Sequence, residues 1–196
     1  MNSIPGTFLV AAVSLLALVG CDQKAEETES ARVAAEQPSV VAPVIEAVPL
    51  VDSERIVYAD ANPGEWLTHG RTYDEQRFSP LTQITDKNVS ELGLAWYANL
   101  PTRRGIETTP LMANGKLYVT GSWSHVYAYN AKSGELLWHY DPKVPKDYSV
   151  HACCDVVNRG AALWGDKVYV GSLDGRLVAL DRETGEVAWE VDTRIN

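Results

Sequence analysis

A surplus of basic side chains is the first thing this 196-residue chain lacks: 17 Lys plus Arg stand against 26 Asp plus Glu, a formal net charge of −9. That balance argues against a nucleic-acid binder, whose footprint is a basic patch. Also missing is an apolar run of the roughly 20 residues that a bilayer-spanning helix needs; Phe8 to Val19 falls short and is broken by Ser14. Lys and Arg are absent from Met1 to Thr7, so only the α-amino group is positive there. Tryptophan is absent before Trp66, although the chain has six. Cysteine is scarce. Cys21, Cys153 and Cys154 are all there are, and no His/Cys set with metal-ligand spacing accompanies them.

What is present divides into three stretches. Residues 1–21 carry no charged side chain, and their apolar run has the length of a secretory h-region. Leu18-Val19-Gly20-Cys21 closes that run and resembles the lipobox of bacterial lipoproteins, which implies lipidation at Cys21. A plain signal peptide with an incidental Cys, or a buried helix, are the alternatives. Residues 22–60 hold nine acids and three bases, with Pro38, Pro43 and Pro49 spaced along them. Proline blocks regular helix and sheet, so an acidic, semi-extended tether is expected there. Residues 61–196 form a Trp-rich body, since Trp is scarce in disordered sequence.

The body repeats itself. Residues 116–141 align with residues 167–192 at a shift of 51 without a gap, and eight of the 26 positions are identical. These include Tyr118/Tyr169, Ala128/Ala179, Gly134/Gly185 and Trp138/Trp189. Each repeat reads as short strands punctuated by turns. Leu117–Val119 and Val168–Val170 follow the turn signals Asn114-Gly115 and Gly165-Asp166. Val126–Asn130 and Leu177–Asp181 are second strands; Leu136–Trp138 and Val187–Trp189 are third strands. A fourth lies ahead of the first turn, as in Ala161–Trp164. Four antiparallel strands in a repeat of this length are the signature of a β-propeller blade, so the fold class is all-β. A β-sandwich of repeated hairpins is the alternative. Leu94-Ala95-Trp96 fits the end of an earlier, shorter blade. A propeller needs about four to eight blades, and two to three are expected in this sequence, which therefore reads as truncated.

Ala128 to Trp138 and Ala179 to Trp189 resemble the tryptophan-docking motif of quinoprotein dehydrogenases. Three other stretches resemble the alcohol-oxidising members of that family. Trp66-Leu67-Thr68-His69-Gly70-Arg71 with Arg77-Phe78-Ser79-Pro80-Leu81 is similar to their opening segment. Gly105-Ile106-Glu107-Thr108-Thr109-Pro110 is similar to their glutamate loop, and His151 to Gly160 to their adjacent-cysteine loop. The resemblance covers about residues 62–196 and implies an eight-bladed propeller. It also implies oxidation of a small alcohol to the aldehyde with pyrroloquinoline quinone (PQQ) and calcium, and electron transfer to a cytochrome c-type acceptor. Glu107, Cys153, Cys154 and Arg159 are the cofactor-binding residues it implies. Calcium ligands and the catalytic Asp are expected beyond residue 196, so no catalytic or metal-ligating residue is named in this chain, and the segment alone is expected to be inactive.

The residue chemistry is compatible with that resemblance. In an exported, oxidising compartment two adjacent thiols tend to oxidise, and the family implies a disulfide between Cys153 and Cys154. Consecutive Cα atoms lie about 3.8 Å apart, shorter than the roughly 4.4–6.8 Å of ordinary disulfides. Such a ring closes almost no loop and is a poor staple; it makes better sense as a hard wall for a planar group. Two free thiols or a metal site are the alternatives. The guanidinium of Arg159 suits carboxylates and quinone oxygens. Its bland reading, and that of Glu107, is a surface ion pair. His69, His125, His139 and His151 form no cluster in the sequence and read as structural or solvent-facing. Asp155 is expected to hydrogen-bond the turn after the cysteines, and Trp123 and Trp164 to pack within blades. The expected location is periplasmic, tethered to a membrane by lipid. A non-catalytic propeller lipoprotein for outer-membrane-protein assembly is the rival, but it gives no reason for adjacent cysteines. A membrane-bound sugar dehydrogenase is a second rival, and its spanning helices are lacking here.

Overall fold

Asn114 and Gly115 both take positive φ, 49° and 75°, which is what a tight two-residue hairpin turn requires. The turn joins β1 (Leu111–Ala113) to β2 (Lys116–Thr120). A computed structural model describes residues 48–195 of the chain. In it β1, β2, β3 (Val126–Asn130) and β4 (Leu136–Tyr140) form one antiparallel sheet in sequential order. A second sheet repeats that order with β5 (Ala162–Trp164), β6 (Lys167–Gly171), β7 (Arg176–Asp181) and β8 (Val187–Asp192). These are two complete propeller blades, and the expected strands fall where the repeat placed them.

Registers match blade for blade. Ala128 faces Trp138 in the first sheet and Ala179 faces Trp189 in the second. The turn before the last strand is held by an Asx side chain in each case. Asn130 Oδ1 accepts from the N–H groups of Lys132 and Ser133 at 2.9 and 3.0 Å; Asp181 Oδ1 accepts from Glu183 and Thr184, both at 2.9 Å. Val126, Ala128, Tyr118, Val168, Val178 and Leu180 are buried in a shared core, with Trp138 packed among them.

Tryptophan docking is the device that joins the blades. A Cβ on Gly185 (φ 75°) would lie 2.6 Å from Cδ2 of Trp138, and the indole N–H donates to Arg182 O at 3.1 Å. Trp96 repeats the arrangement one blade earlier: it covers Gly134 (φ 74°), and its N–H donates to Ala131 O at 3.0 Å. Ala131 and Arg182 occupy equivalent positions of the repeat. Trp96 thus docks as a blade-closing tryptophan without being part of a strand.

The signal segment 1–21, Cys21 and residues 22–47 of the expected tether lie outside the described residues. The rest of that tether is folded, contrary to its reading as a linker to residue 60. Val51 is buried and pairs with Gly165 in both directions, at 3.0 and 2.6 Å. Helix α1 (Ser53–Val57) follows, capped by Asp52, whose carboxylate accepts from Arg55 N at 2.9 Å. Arg55 reaches both oxygens of Glu65, at 2.6 and 2.7 Å, and Asn114 Oδ1 at 2.9 Å. Charges that read as solvated in the sequence are a cap and a tie, while Val51 and Ile56 supply the buried anchors.

Candidate functional site

Two loops lead into the first strands of the two blades. One carries Glu107 ahead of β1, and the other carries Cys153, Cys154 and Arg159 ahead of β5. Because the blades are repeats, the loops emerge side by side, and Thr109 N donates to Arg159 O at 3.1 Å.

All four residues singled out for cofactor contact come together. Arg159 Nη2 lies 3.2 Å from Glu107 Oε2, and the guanidinium is near enough to Cys154 to pull its thiol pKa down against the larger, opposite effect of Cys153. Glu107 and Arg159 side chains are 47% and 68% exposed, so their pairing contributes little to stability. Cys153 and Cys154 are exposed free thiols in this structure, so the expected disulfide is not formed in it. Bridging neighbours is sterically demanding, since consecutive Cα atoms are closer than ordinary disulfide geometry prefers. The adjacent Cys153 pushes the Cys154 thiol above its ordinary range, by hydrogen bonding and by charge.

Asp155 ties the loops together. Its carboxylate accepts from Gly105 N at 3.3 Å and pairs with Arg104 Nε at 3.1 Å. Hydrogen bonding from Val156 N–H, seconded by Gly105 N–H and Arg104, holds it below the usual Asp value. Its φ of 71° lies in the left-handed region, which Asp tolerates. Asn158 does more than its place in the motif disclosed. Its amide donates to Gly171 O at 2.9 Å and Ser124 Oγ at 3.2 Å, and its Oδ1 accepts from Gly160 N at 3.0 Å. That brackets Arg159 between two fixed residues.

A cavity of about 320 Å³ opens beside Arg159, with His69, Thr109, Gly160, Ala161 and Gly171 in its walls. Arg159, Thr109 and His69 are its polar lining residues, Leu111 adds to an otherwise apolar wall, and no acidic residue lines it. Such a donor set fits a small group bearing carboxylates and carbonyl oxygens, and a Cβ on Gly171 would meet nothing within 4 Å. Among the described residues no group of three or more His, Cys, Asp or Glu could hold a metal ion.

Other residues sit differently from their sequence reading. His125 and His139 do pair, Nδ1 to Nε2 at 2.8 Å, with Tyr127 stacked on His139 at 4.4 Å. Trp123 packs against the cysteine loop rather than within a blade: its backbone N–H donates to Val156 O at 2.7 Å, and Lys146 lies 3.8 Å over its ring. Trp164 is half exposed. His151 lies edge-on to Tyr148 at 5.7 Å.

Residues 66–194 match the family model described as PQQ: glucose/ethanol/alcohol dehydrogenase, β-propeller domain. Quinohemoprotein alcohol dehydrogenase ADH-IIG of Pseudomonas putida is 56% identical over 144 residues, 74% of this chain and 20% of that protein. The 1-butanol dehydrogenase (cytochrome c) of Thauera butanivorans is 53% identical over 133 residues, 68% of this chain and 19% of its own length. The solved structure of ADHIIG from Pseudomonas putida HK5 superposes with a TM-score of 0.75 at 54% identity, covering 77% of this chain and 22% of that one. The chain therefore spans about a fifth of the length of these relatives.

Proposed function

The chain belongs to the PQQ β-propeller family of glucose, ethanol and alcohol dehydrogenases, and from that premise we propose that it serves in a quinoprotein that oxidises an alcohol to the aldehyde. The observation that carries the proposal is the convergence of Glu107, Arg159, Cys154 and Cys153 beside a donor-lined cavity, in the segment that matches the family. When bound, PQQ supplies a two-electron sink for the hydride equivalent that the alcohol carbon gives up as its hydroxyl loses a proton. The residues of this chain hold that group in place. Arg159 binds carboxylate or carbonyl oxygens in a fork, Glu107 fixes the fork from the other side, and the cysteine pair, oxidised in an exported compartment, walls one face. Asp155 and Asn158 keep the two loops in register.

Three finer parts of the proposal rest on the resemblance. Calcium would supply the Lewis acidity that polarises the quinone, and no described residue is assigned to hold it. A cytochrome c-type protein takes the electrons; likeness to the 1-butanol dehydrogenase (cytochrome c) of Thauera butanivorans supports this acceptor. The protein is exported and lipid-anchored through Cys21 in the periplasm, which the sequence Leu18-Val19-Gly20-Cys21 supports.

The test is reconstitution of the full-length protein that carries this segment with PQQ and calcium, followed by absorbance titration and alcohol-dependent reduction of cytochrome c. Saturable PQQ binding that weakens at least tenfold in the Cys153→Ser/Cys154→Ser double variant is expected. Absence of binding, or binding indifferent to both sulfurs, overturns the proposal. Incorporation of labelled palmitate, lost in Cys21→Ser, tests the anchor separately.

A further inference from the structure

His69 is exposed, in keeping with its solvent-facing reading, and the fold carries it to the rim of the cavity beside Arg159. Trp66 and Met112 exchange both backbone hydrogen bonds at 2.9 Å, so the opening segment runs antiparallel along the edge of β1 that β2 leaves free. Beyond that bridge the chain turns, with Arg71 N donating to Thr68 O at 3.1 Å, and His69 in this turn lines the same cavity as Thr109. The Trp66 indole N–H braces the segment by donating to His69 O at 3.3 Å.

The imidazole is held as well as placed. The chain turns back so that Arg77 N donates to Gly70 O at 3.0 Å, and Arg77 Nη2 then lies 2.7 Å from His69 Nε2. Arginine has donors only. In that contact Nε2 is the accepting nitrogen, which leaves Nδ1 as the ring nitrogen free to donate. Arg77 turns His69 into a donor of fixed tautomer at the rim of a cavity that already holds Arg159 and the Thr109 hydroxyl.

We propose that His69 is a cofactor-contacting residue that gives its Nδ1–H to a carboxylate of the bound quinone, with Arg77 as the positioning residue that fixes the tautomer. The inference rests on the PQQ reading above and extends it to the opening segment, which that reading leaves without a role. It also explains why His69 and Arg77 occur together on one turn-back of chain.

The test compares PQQ with its trimethyl ester, in which the carboxylates are masked, by equilibrium titration of the full-length protein that carries this segment. In His69→Phe the affinity for PQQ falls about tenfold to a hundredfold, the range of one hydrogen bond to a charged group, while binding of the ester, whose carbonyls accept only a weaker neutral bond, falls by less. Retained ester binding also certifies the fold. His69→Asn, which restores a shorter donor, recovers part of the loss, and Arg77→Met reproduces part of it with His69 intact. Wild-type affinity of His69→Phe for PQQ overturns the inference, as does an equal loss for both ligands, which no carboxylate-directed donor can produce. If the unsubstituted protein binds neither compound, it is the PQQ reading itself that fails, and the two failures are thereby told apart.

Discussion

Trp138 lies flat on Gly185, with its indole N–H bonded to the Arg182 carbonyl one turn earlier. The contact welds the first blade to the second, because the ring comes from β4 and the glycine from the turn between β7 and β8. A methyl group at residue 185 would sit 2.6 Å from the ring and would force a side chain into φ 75°. Gly185→Ala should therefore cost at least about 1–2 kcal/mol from backbone strain alone. Trp138→Ala should cost about 3–5 kcal/mol, as for other buried tryptophans. Urea midpoints at constant m-value measure both.

Glu107 and Arg159 separate stability from binding. Their exposed pairing contributes about 0–1 kcal/mol, so Glu107→Gln and Arg159→Met should leave the thermal midpoint nearly unchanged. The same variants should weaken PQQ binding about tenfold or more, since each removes a charged contact. Calorimetric scans and absorbance titrations on the same samples check the split.

Cys154 is held above the ordinary thiol range by Cys153. In the reduced protein its alkylation by iodoacetamide should keep rising with pH through 9.0, the ordinary value for such a thiol. Removing the cause in Cys153→Ser should move the profile to lower pH and speed alkylation at pH 8. Peptide mass mapping of the labelled site reads the shift.

His125 and His139 are both held below the ordinary histidine value, first by burial, with the Asp141 charge pulling the other way. A lowered folded-state value means that the unfolded chain takes up protons first as pH falls. The contribution to stability is therefore present above pH 6.5 and is lost as pH drops through and below that value. Urea midpoints at pH 7.5 and pH 5.5 should differ, and the difference should shrink in His139→Gln.

The strands and the docking tryptophans were legible because a repeat announces both at once. A shift of 51 residues aligned turn glycines, strand centres and Trp138 with Trp189, and only a stacked array satisfies all three. Glu107, the cysteines and Arg159 were legible through the motifs that contain them. What escaped lies outside the repeat or depends on pairing across strands. His125 and His139 meet because Tyr127 pairs with His139 between β3 and β4, which sets His125 on the neighbouring diagonal of the same face. His69 reaches its cavity through one bridge between Trp66 and Met112, and no periodicity signals a single bridge. Pro49 to Asp60 looked like the end of a tether because acids outnumber bases nine to three over residues 22–60 and prolines are spaced along them, yet Val51 and Ile56, both buried, decide where that stretch goes.

The pairing of Val51 with Gly165 has a directional consequence. Gly165 sits in the hairpin at the far end of β5 from Cys154, and Pro49 is gripped at that same end by Arg182. Polypeptide arriving from upstream thus joins the blades at their hairpin pole, the pole opposite the sulfur-bearing loop. Tension applied at Pro49 would therefore be borne by the hairpin pole, through Gly165 and Arg182, and not by the loops that hold Glu107, Cys154 and Arg159.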